Sequence, residues 1–443
     1  MSQQDARITP AIPAAARRRA IFSSVVGNGL EWFDFGIFSS FSIIITRLMF
    51  PAQSATAMMM VAFASFGIAF VVRPFGGVLF GLYSDRAGRK QALSAIIIMM
   101  SAGTLLIGLT PSYALIGIAA PVLIVFARML QGFSAGGEFA SATAMLLEYA
   151  PPGRRNLIGS FQACSQALSF ALGGAVAYLL LHNLDHASLE QWGWRLPFLF
   201  GSLIGPIGYY IRSRVDESPE FLAFVEQRRD VKATRLSLIG VVRDYPRELL
   251  AMLGIVAVCT TSSYVGLIYI PLFASSRLGL GADVGQLGML AGALVLLVMC
   301  PVTGCLADRF GRRRVMLPAI VLHGALAGPL LSALVHAPSV ASLIGFELVA
   351  GSLTSFFWGP SAAALAEAFP VQIRSTGMAI AYNVGAMIFG GLAPLINTWL
   401  TKVTGSLLAP AWYIAASAVL GALGVIAMVD RKPHAGQPLQ QRA

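Results

Sequence analysis

The sequence predicts an all-α membrane protein with twelve transmembrane helices in two pseudo-symmetric bundles of six. Three observations carry that prediction. Of 443 residues, 56% are hydrophobic and 12% charged, with a mean hydropathy of +0.73; a soluble domain carries about 25% charged residues. Apolar stretches of helix-spanning length recur along the whole chain, without the ten-residue alternation of a membrane barrel. Two stretches of punctuation also repeat. "GLYSDRAGRKQAL" (81–93) returns as "GCLADRFGRRRVM" (304–316), and "LLEYAPPGRR" (146–155) returns as "LAEAFPVQIR" (365–374).

Taken in order, the spans fall at 21–48, 57–82, 91–110, 114–148, 157–181 and 193–212, then at 247–274, 284–306, 314–335, 339–367, 375–401 and 409–429. The first follows Arg17-Arg18-Arg19, which imitates a signal peptide, but it is too long, contains acids and has no small-residue cleavage site. The repeats sit in matching places of each set of six, so the chain is an internal duplication. Its parts are an N-terminal bundle (1–212), a polar linker loop (213–246) and a C-terminal bundle (247–443).

The formal net charge of +11 is distributed like that of a membrane protein rather than a nucleic-acid binder. Of 31 Lys and Arg, 25 lie in the termini and alternate loops that share one side; Arg47, Arg195, Arg277 and Lys402 lie on the other, and Arg73 and Arg128 inside spans. That asymmetry places both termini in the cytoplasm. Cys164, Cys259, Cys300 and Cys305 have neither zinc spacing nor an extracellular pairing, and read as packing residues.

Each Asp-Arg-x-Gly-Arg element ends a span, reverses the chain at Gly88 or Gly311, and keeps its bases in the cytoplasm. Asp85 and Asp308 are expected to pair with Arg86, Arg89, Arg309, Arg312 or neighbouring arginines. Glu148 and Glu367 are expected to pair with arginines at the next helix ends, Arg155 and Arg374. Pairs made when the halves close and broken when they part would latch the cytoplasmic side. The plainer alternative is topology alone, with incidental ion pairs; the duplication favours the latch.

At these residues the chain resembles the major facilitator superfamily and, within it, the metabolite:proton symporters. The resemblance covers about residues 20–430 and rests on "GNGLEWFDF" (27–35), "VRPFGG" (72–77), "DRAGRK" (85–90), "ARMLQGFSAGGEFASA" (127–142), "WGWRLPF" (192–198), "DESPEF" (216–221) and "IFGGLAP" (388–394). It implies the major facilitator fold, a bacterial inner membrane location, alternating access and a proton as coupling ion, with no other cofactor. Similar members import citrate, 2-oxoglutarate, other dicarboxylates, shikimate, or proline and betaine.

Six ionisable residues lie inside the spans: Glu31, Asp34, Arg73, Arg128, Glu138 and Glu347. A central charged side chain costs roughly 2.5 to 3.5 kcal/mol on insertion scales, so these should line a cavity or pair. Asp34, near mid-depth of the first span, can switch with Arg128: paired, it stays ionised; when substrate recruits the arginine, the desolvated acid takes a proton. Asp34 and Arg128 also match the aspartate and arginine of proton-coupled sugar porters, in "FDFG" and "ARMLQG". Glu31, one turn away, is a second proton candidate; a static network neutralising Arg73 and Arg128 is the alternative for both acids. Arg128 falls on Glu347 at an offset of 219 residues, so the two either meet across a central cavity or serve two ends of a zwitterion. Glu138 lines the cavity or braces the first span. Arg73, before Pro74, binds an anionic substrate or ties down a neighbouring helix. Gln162, Gln166, Tyr382 and Asn383 are spaced to face inward, for substrate or for interhelical hydrogen bonds.

A carboxylate substrate wants arginine, and Arg128 and Arg73 supply it. The "RMLQGFSAGGE" and "SFQACSQ" stretches are similar to those of citrate and 2-oxoglutarate carriers, whereas "EWFDFG" and "LAPAWY" are similar to those of osmolyte carriers. The expectation is proton symport of a small organic carboxylate, citrate-like or a dicarboxylate. A zwitterionic osmolyte such as proline or betaine is the alternative, and a drug/proton antiporter is the alternative of another class. Five scattered His give no enzyme site, and no GxxxxGK[ST] motif points to ATP. The expected partners are a small polar metabolite and the lipid bilayer, with no nucleic acid, and the chain is expected to act as a monomer.

Overall fold

The computed structural model describes residues 14–51, 54–87, 89–213, 238–370 and 373–428. Twelve long helices follow one another, in the order of the expected spans. The first six are α1 (Ala14–Met49), α2 (Ala55–Ala87), α3 (Arg89–Leu109), α4 (Ala119–Glu148), α5 (Arg155–Asn183) and α6 (Leu196–Ser213). The second six are α7 (Pro246–Arg277), α8 (Ala282–Phe310), α9 (Arg312–His336), α10 (Val340–Ala368), α11 (Thr376–Thr404) and α12 (Ala409–Ala427). Among the described residues, ten are long and apolar enough to cross a bilayer; the exceptions are α3, with a shorter apolar stretch at Ser94–Leu109, and α6.

The duplication seen in the sequence reappears as a packing pattern. In the first half α1 packs on α5 and α6, α2 on α4, and α3 on α4 and α6. Adding six to every label gives the main contacts of the second half: α7 on α11 and α12, α8 on α10, α9 on α10 and α12. The halves meet along α5 against α8 and α10, and along the equivalent α11 against α2 and α4. The helices α3, α6, α9 and α12 stand outside this seam and turn residues such as Ile98, Leu203, Val321 and Leu423 outward. A lipid environment welcomes those side chains, where water would not.

Several elements differ from the sequence expectation. The span expected over 114–148 is interrupted: a one-turn helix, Tyr113–Ile116, ends at Gly117, whose φ of +57° lies in the region that suits glycine, and α4 begins afterwards. A turn at Gly136–Gly137 loosens α4 just before Glu138. The expected linker loop holds a short helix, Leu238–Asp244; residues 214–237 lie outside the described residues. Both α7 and α11 contain a π-helical turn, at Val265–Tyr269 and Ala386–Gly391. Gly311 makes the α8–α9 reversal with φ +89°, as its motif suggested, while Gly88 lies outside the described residues.

Glycine decides how α2 meets α4. A Cβ at Gly132 would stand 1.8 Å from the Ala69 carbonyl oxygen, and one at Gly136 would stand 2.0 Å from that of Arg73. The two backbones therefore touch, in the small-residue packing that membrane helices favour. This crossing sets Arg73 and Arg128 side by side against α1.

Candidate functional site

The buried charges of the first half form two neighbouring sets. Arg128 and Asp34 are both buried, at 0% and 5% exposure, but they are not in direct contact as the sequence suggested. The Arg128 Nη1 donates to Gln131 Oε1 at 2.7 Å, Gln131 Nε2 donates to Thr104 Oγ1 at 2.9 Å, and the Thr104 hydroxyl donates to Asp34 Oδ2. The reason is steric: Arg128 is held by the carbonyls of Ser65 (3.4 Å) and Phe66 (3.3 Å) and over the rings of Phe35 and Phe38, so two polar side chains span the gap. Gly201 of α6 makes room for the carboxylate, since a Cβ there would come 2.9 Å from Asp34 Oδ1.

The second set is Glu31 with Arg73. Arg73 Nη2 lies 3.5 Å from Glu31 Oε1 and 3.2 Å from the Ala135 carbonyl, and the guanidinium sits over the rings of Trp32, Phe35, Phe70 and Tyr382. Its Nε and Nη1 are buried with no hydrogen-bond partner. Glu31 and Asp34 then converge with Glu138 on one small cavity between α1, α3, α4 and α6. It has about 20 Å³ of free space, enough for roughly one water.

Other expected substrate contacts are engaged between helices. Gln162 Nε2 donates to Asn28 Oδ1 at 2.9 Å, and Asn28 returns a bond to Ser165 Oγ at 2.6 Å, tying α1 to α5. Asn383 Nδ2 donates to the Gly136 carbonyl at 2.8 Å, so it ties α11 to α4 across the halves. Tyr382 stacks on Phe139 with ring centroids 3.5 Å apart, beside Gln166. Glu347 does not meet Arg128. It is buried in the second half, where Gly266 of α7 and Gly292 of α8 face its carboxyl.

Sequence reasoning missed the relay residues Thr104 and Gln131, and it missed the aromatic cluster at the seam. Trp32, Phe66 and Phe70 of the first half close on Tyr264 of the second, with centroids 6.1, 6.1 and 5.3 Å away. The signal was present in the spacing of Trp32 and Phe35, and of Phe66 and Phe70, each pair on one helix face.

The halves are tied at both ends. On the basic face, Asp308 does not pair with an arginine. It accepts from the backbone N–H groups of Asn156 and Leu157, both at 2.9 Å, and from Asn156 Nδ2 at 2.8 Å. The carboxylate caps the first turn of α5 from the other half, because free N–H groups there attract an anion. Glu367 joins Arg155 (3.3 Å) across the seam to Arg312 (2.5 Å) in its own half, rather than pairing with Arg374, and Arg312 also bonds Asn156 Oδ1 at 2.7 Å. Glu148 and Arg374 are engaged as well. Arg309 lies over the Phe310 ring, and the side chains of Asp85, Arg86 and Arg89 lie outside the described residues. On the opposite face, His182 meets Asp283 at 3.1 Å, Arg277 meets Thr56 at 3.3 Å, and Ser40 donates to Gln286 at 2.8 Å. Both ends therefore carry polar contacts between the halves.

Two halves of six helices that repeat one packing pattern, meeting along a charged seam, agree with what known proteins show. The family model described as "Sugar (and other) transporter" matches residues 20–244, and that of the "Major Facilitator Superfamily" matches residues 280–443. The chain belongs to the major facilitator superfamily. It is accordingly a multi-pass membrane transporter. It is 36% identical to the citrate-proton symporter of Klebsiella pneumoniae over 427 residues, 96% of this chain and 95% of that protein. It is 34% identical to the proline/betaine transporter of Escherichia coli (strain K12), over 96% of this chain and 85% of that one. Among solved structures, the xylose transporter from E. coli in a partially occluded inward-open conformation superposes with a TM-score of 0.75 at 18% identity, covering 96% of this chain and 100% of the other. At that identity the superfamily's fold is what is shared.

Proposed function

We propose that this chain is a proton-coupled symporter of the bacterial inner membrane that takes up a small carboxylate-bearing metabolite by alternating access. The observation that carries the reading is Arg73: two of its N–H-bearing nitrogens are buried and unpartnered at the seam between the halves. A guanidinium offers paired donors that a carboxylate fits. The arginine-rich face, with both termini, is the cytoplasmic one. The chain works as a monomer, with the proton as its coupling ion and no ATP.

Coupling follows from the way the two charged sets share a cavity. A substrate carboxylate on Arg73 competes with Glu31 for the guanidinium. The released Glu31 charge then stands beside Asp34 in a small space, and two carboxylates there are not both kept ionised. Proton loading on Asp34 relieves the repulsion, and the Thr104–Gln131 relay carries the change to Arg128. The relatives named as citrate-proton symporters support proton coupling with an organic acid.

A citrate-like acid or a dicarboxylate is the first reading, with Arg73 and Arg128 as the cationic pair. A specific observation favours the second, a zwitterion of the proline or betaine kind: the Trp32, Phe35, Phe70 and Tyr264 rings stand around Arg73 and the seam, and aromatic faces receive cationic headgroups well. Relatives named as proline/betaine transporters support it equally. Uptake of labelled citrate, 2-oxoglutarate, succinate, shikimate, proline and betaine into proteoliposomes, under an imposed inward proton gradient, separates the two. Asp34→Asn is expected to abolish gradient-driven accumulation while counterflow persists. Normal accumulation by that variant would remove Asp34 from the mechanism, and no accumulation of any carboxylate by the unaltered protein would overturn the whole reading.

A further inference from the structure

Among the described residues, Glu347 stands apart from the other buried charges. It is 2% exposed, its Oε1 is fully enclosed with no hydrogen-bond partner, and among the described residues it makes no ion pair. Its carboxyl faces glycines: a Cβ at Gly292 would come 2.6 Å from Oε2, and one at Gly266 would come 3.7 Å from it. Gly266 lies inside the π-helical turn of α7, a distortion that recurs at functional sites.

The titratable groups on the surrounding helices answer to other partners. On α7, Tyr264 faces Trp32 and Phe70, Tyr269 bonds Thr401, and Cys259 points to the Phe357 carbonyl. On α8, Asp283 meets His182 of α5, and Asp308 caps α5. Cys300 is buried deeper along α8, two turns beyond Gly292. On α9, His323 bonds Ser262 and His336 bonds Ser332. Arg155 of α5 and Glu367 of α10 pair at the basic end, while Glu347 sits seven residues from the opposite end of α10, about 10 Å along the helix.

We propose that Glu347 is a second proton-carrying site, on the C-terminal half and separate from Asp34. An ionised carboxylate without a cation or donor is too costly in this enclosure, so in the closed arrangement an O–H bond holds the proton on the carboxyl. Opening of the half toward the cytoplasm wets the wedge between α7, α8 and α10. The O–H bond then breaks, the proton leaves to water, and the carboxylate is reprotonated from the opposite side in the next cycle. This inference rests on the symport reading above.

The test is Glu347→Gln, which fixes the side chain in the shape of the neutral acid. In proteoliposomes with a gradient of one pH unit, removing one transported proton per cycle lowers steady-state accumulation by about tenfold, while counterflow stays intact. Infrared difference spectra of the unaltered protein are expected to show a protonated-carboxyl band that changes with substrate and is absent from the variant. Unchanged accumulation, or a band that substrate leaves untouched, would make Glu347 a static structural acid and overturn the proposal. If the glutamine variant does not fold, Glu347→Asp and the infrared measurement on the unaltered chain carry the same decision. Failure here leaves gradient-driven uptake by the unaltered protein in place, whereas failure of the symport reading removes it.

Discussion

Arg128 and Glu347 occupy equivalent places in the two halves, 219 residues apart, and their surroundings could hardly differ more. Arg128 has carbonyls, a glutamine and aromatic faces around it, and a side-chain relay links it to Asp34. Glu347 has glycines and a π turn. The distortions are also unequal: α7 and α11 carry π turns, whereas their equivalents α1 and α5 are regular α-helices over the described residues. Duplication preserved helix order and contacts. The first half holds a hydrogen-bonded charge network, and the second holds Glu347 beside glycines and a π turn. The difference teaches that fold symmetry does not extend to chemistry.

The comparison is broken most severely by cutting the relay. Gln131→Leu leaves Arg128 and Asp34 in place but removes the bonds to Arg128 and Thr104. Gradient-driven accumulation is expected to fall to background with counterflow retained, as for Asp34→Asn, and transport assays on the two variants side by side check it. A next-largest effect concerns the Arg73–Glu31 pair. Arg73→Ala removes the cation beside the buried Glu31 carboxylate and is expected to destabilise the protein by about 3–5 kcal/mol, read as a lowered unfolding temperature in detergent. Adding Glu31→Gln should restore most of that stability but not uptake, which separates Arg73 the structural partner from Arg73 the substrate ligand. The smallest effect belongs to the basic face. Glu367→Gln removes the charge from a largely buried carboxylate, 14% exposed and paired with Arg312 and Arg155 at 12% and 31%, at a cost of about 1.5–3 kcal/mol, so the population open at that end should rise by roughly ten- to a hundredfold. Maleimide labelling of Cys164, whose thiol sits against the Leu297 carbonyl of the other half, measures it in a chain with its other cysteines replaced by serine.

Much of this architecture was legible in the chain. Helix positions followed from hydropathy, the two halves from the repeated Asp-Arg-x-Gly-Arg and Glu-to-Arg stretches, and the buried charges from their cost in lipid. What joins those charges was not legible. Thr104 and Gln131 lie on α3 and α4, and nothing local marks two ordinary polar residues as a bridge between distant ones. Asn28 was likewise silent, yet it claims Gln162. The offset that matches Arg128 to Glu347 fixed equivalent depth but said nothing about partners, because each partner comes from a different helix. The π turns escaped notice too, since one extra residue in a helical turn leaves the hydrophobic pattern almost unchanged. At the basic face the pairing rule for charges misled: Asp308 found backbone amides before it found an arginine.

Salt acts differently on the Asp308 contact than on an ion pair. A surface latch made of ion pairs slackens as ionic strength rises, because exposed charges are screened within about 10 Å at 0.1 M. The carboxylate that closes the start of α5 binds short, directional N–H groups instead, and mobile counterions compete poorly for them. Parting the halves at that end must uncap the helix, so this part of the cost of opening rests on peptide groups and is expected to vary little with salt.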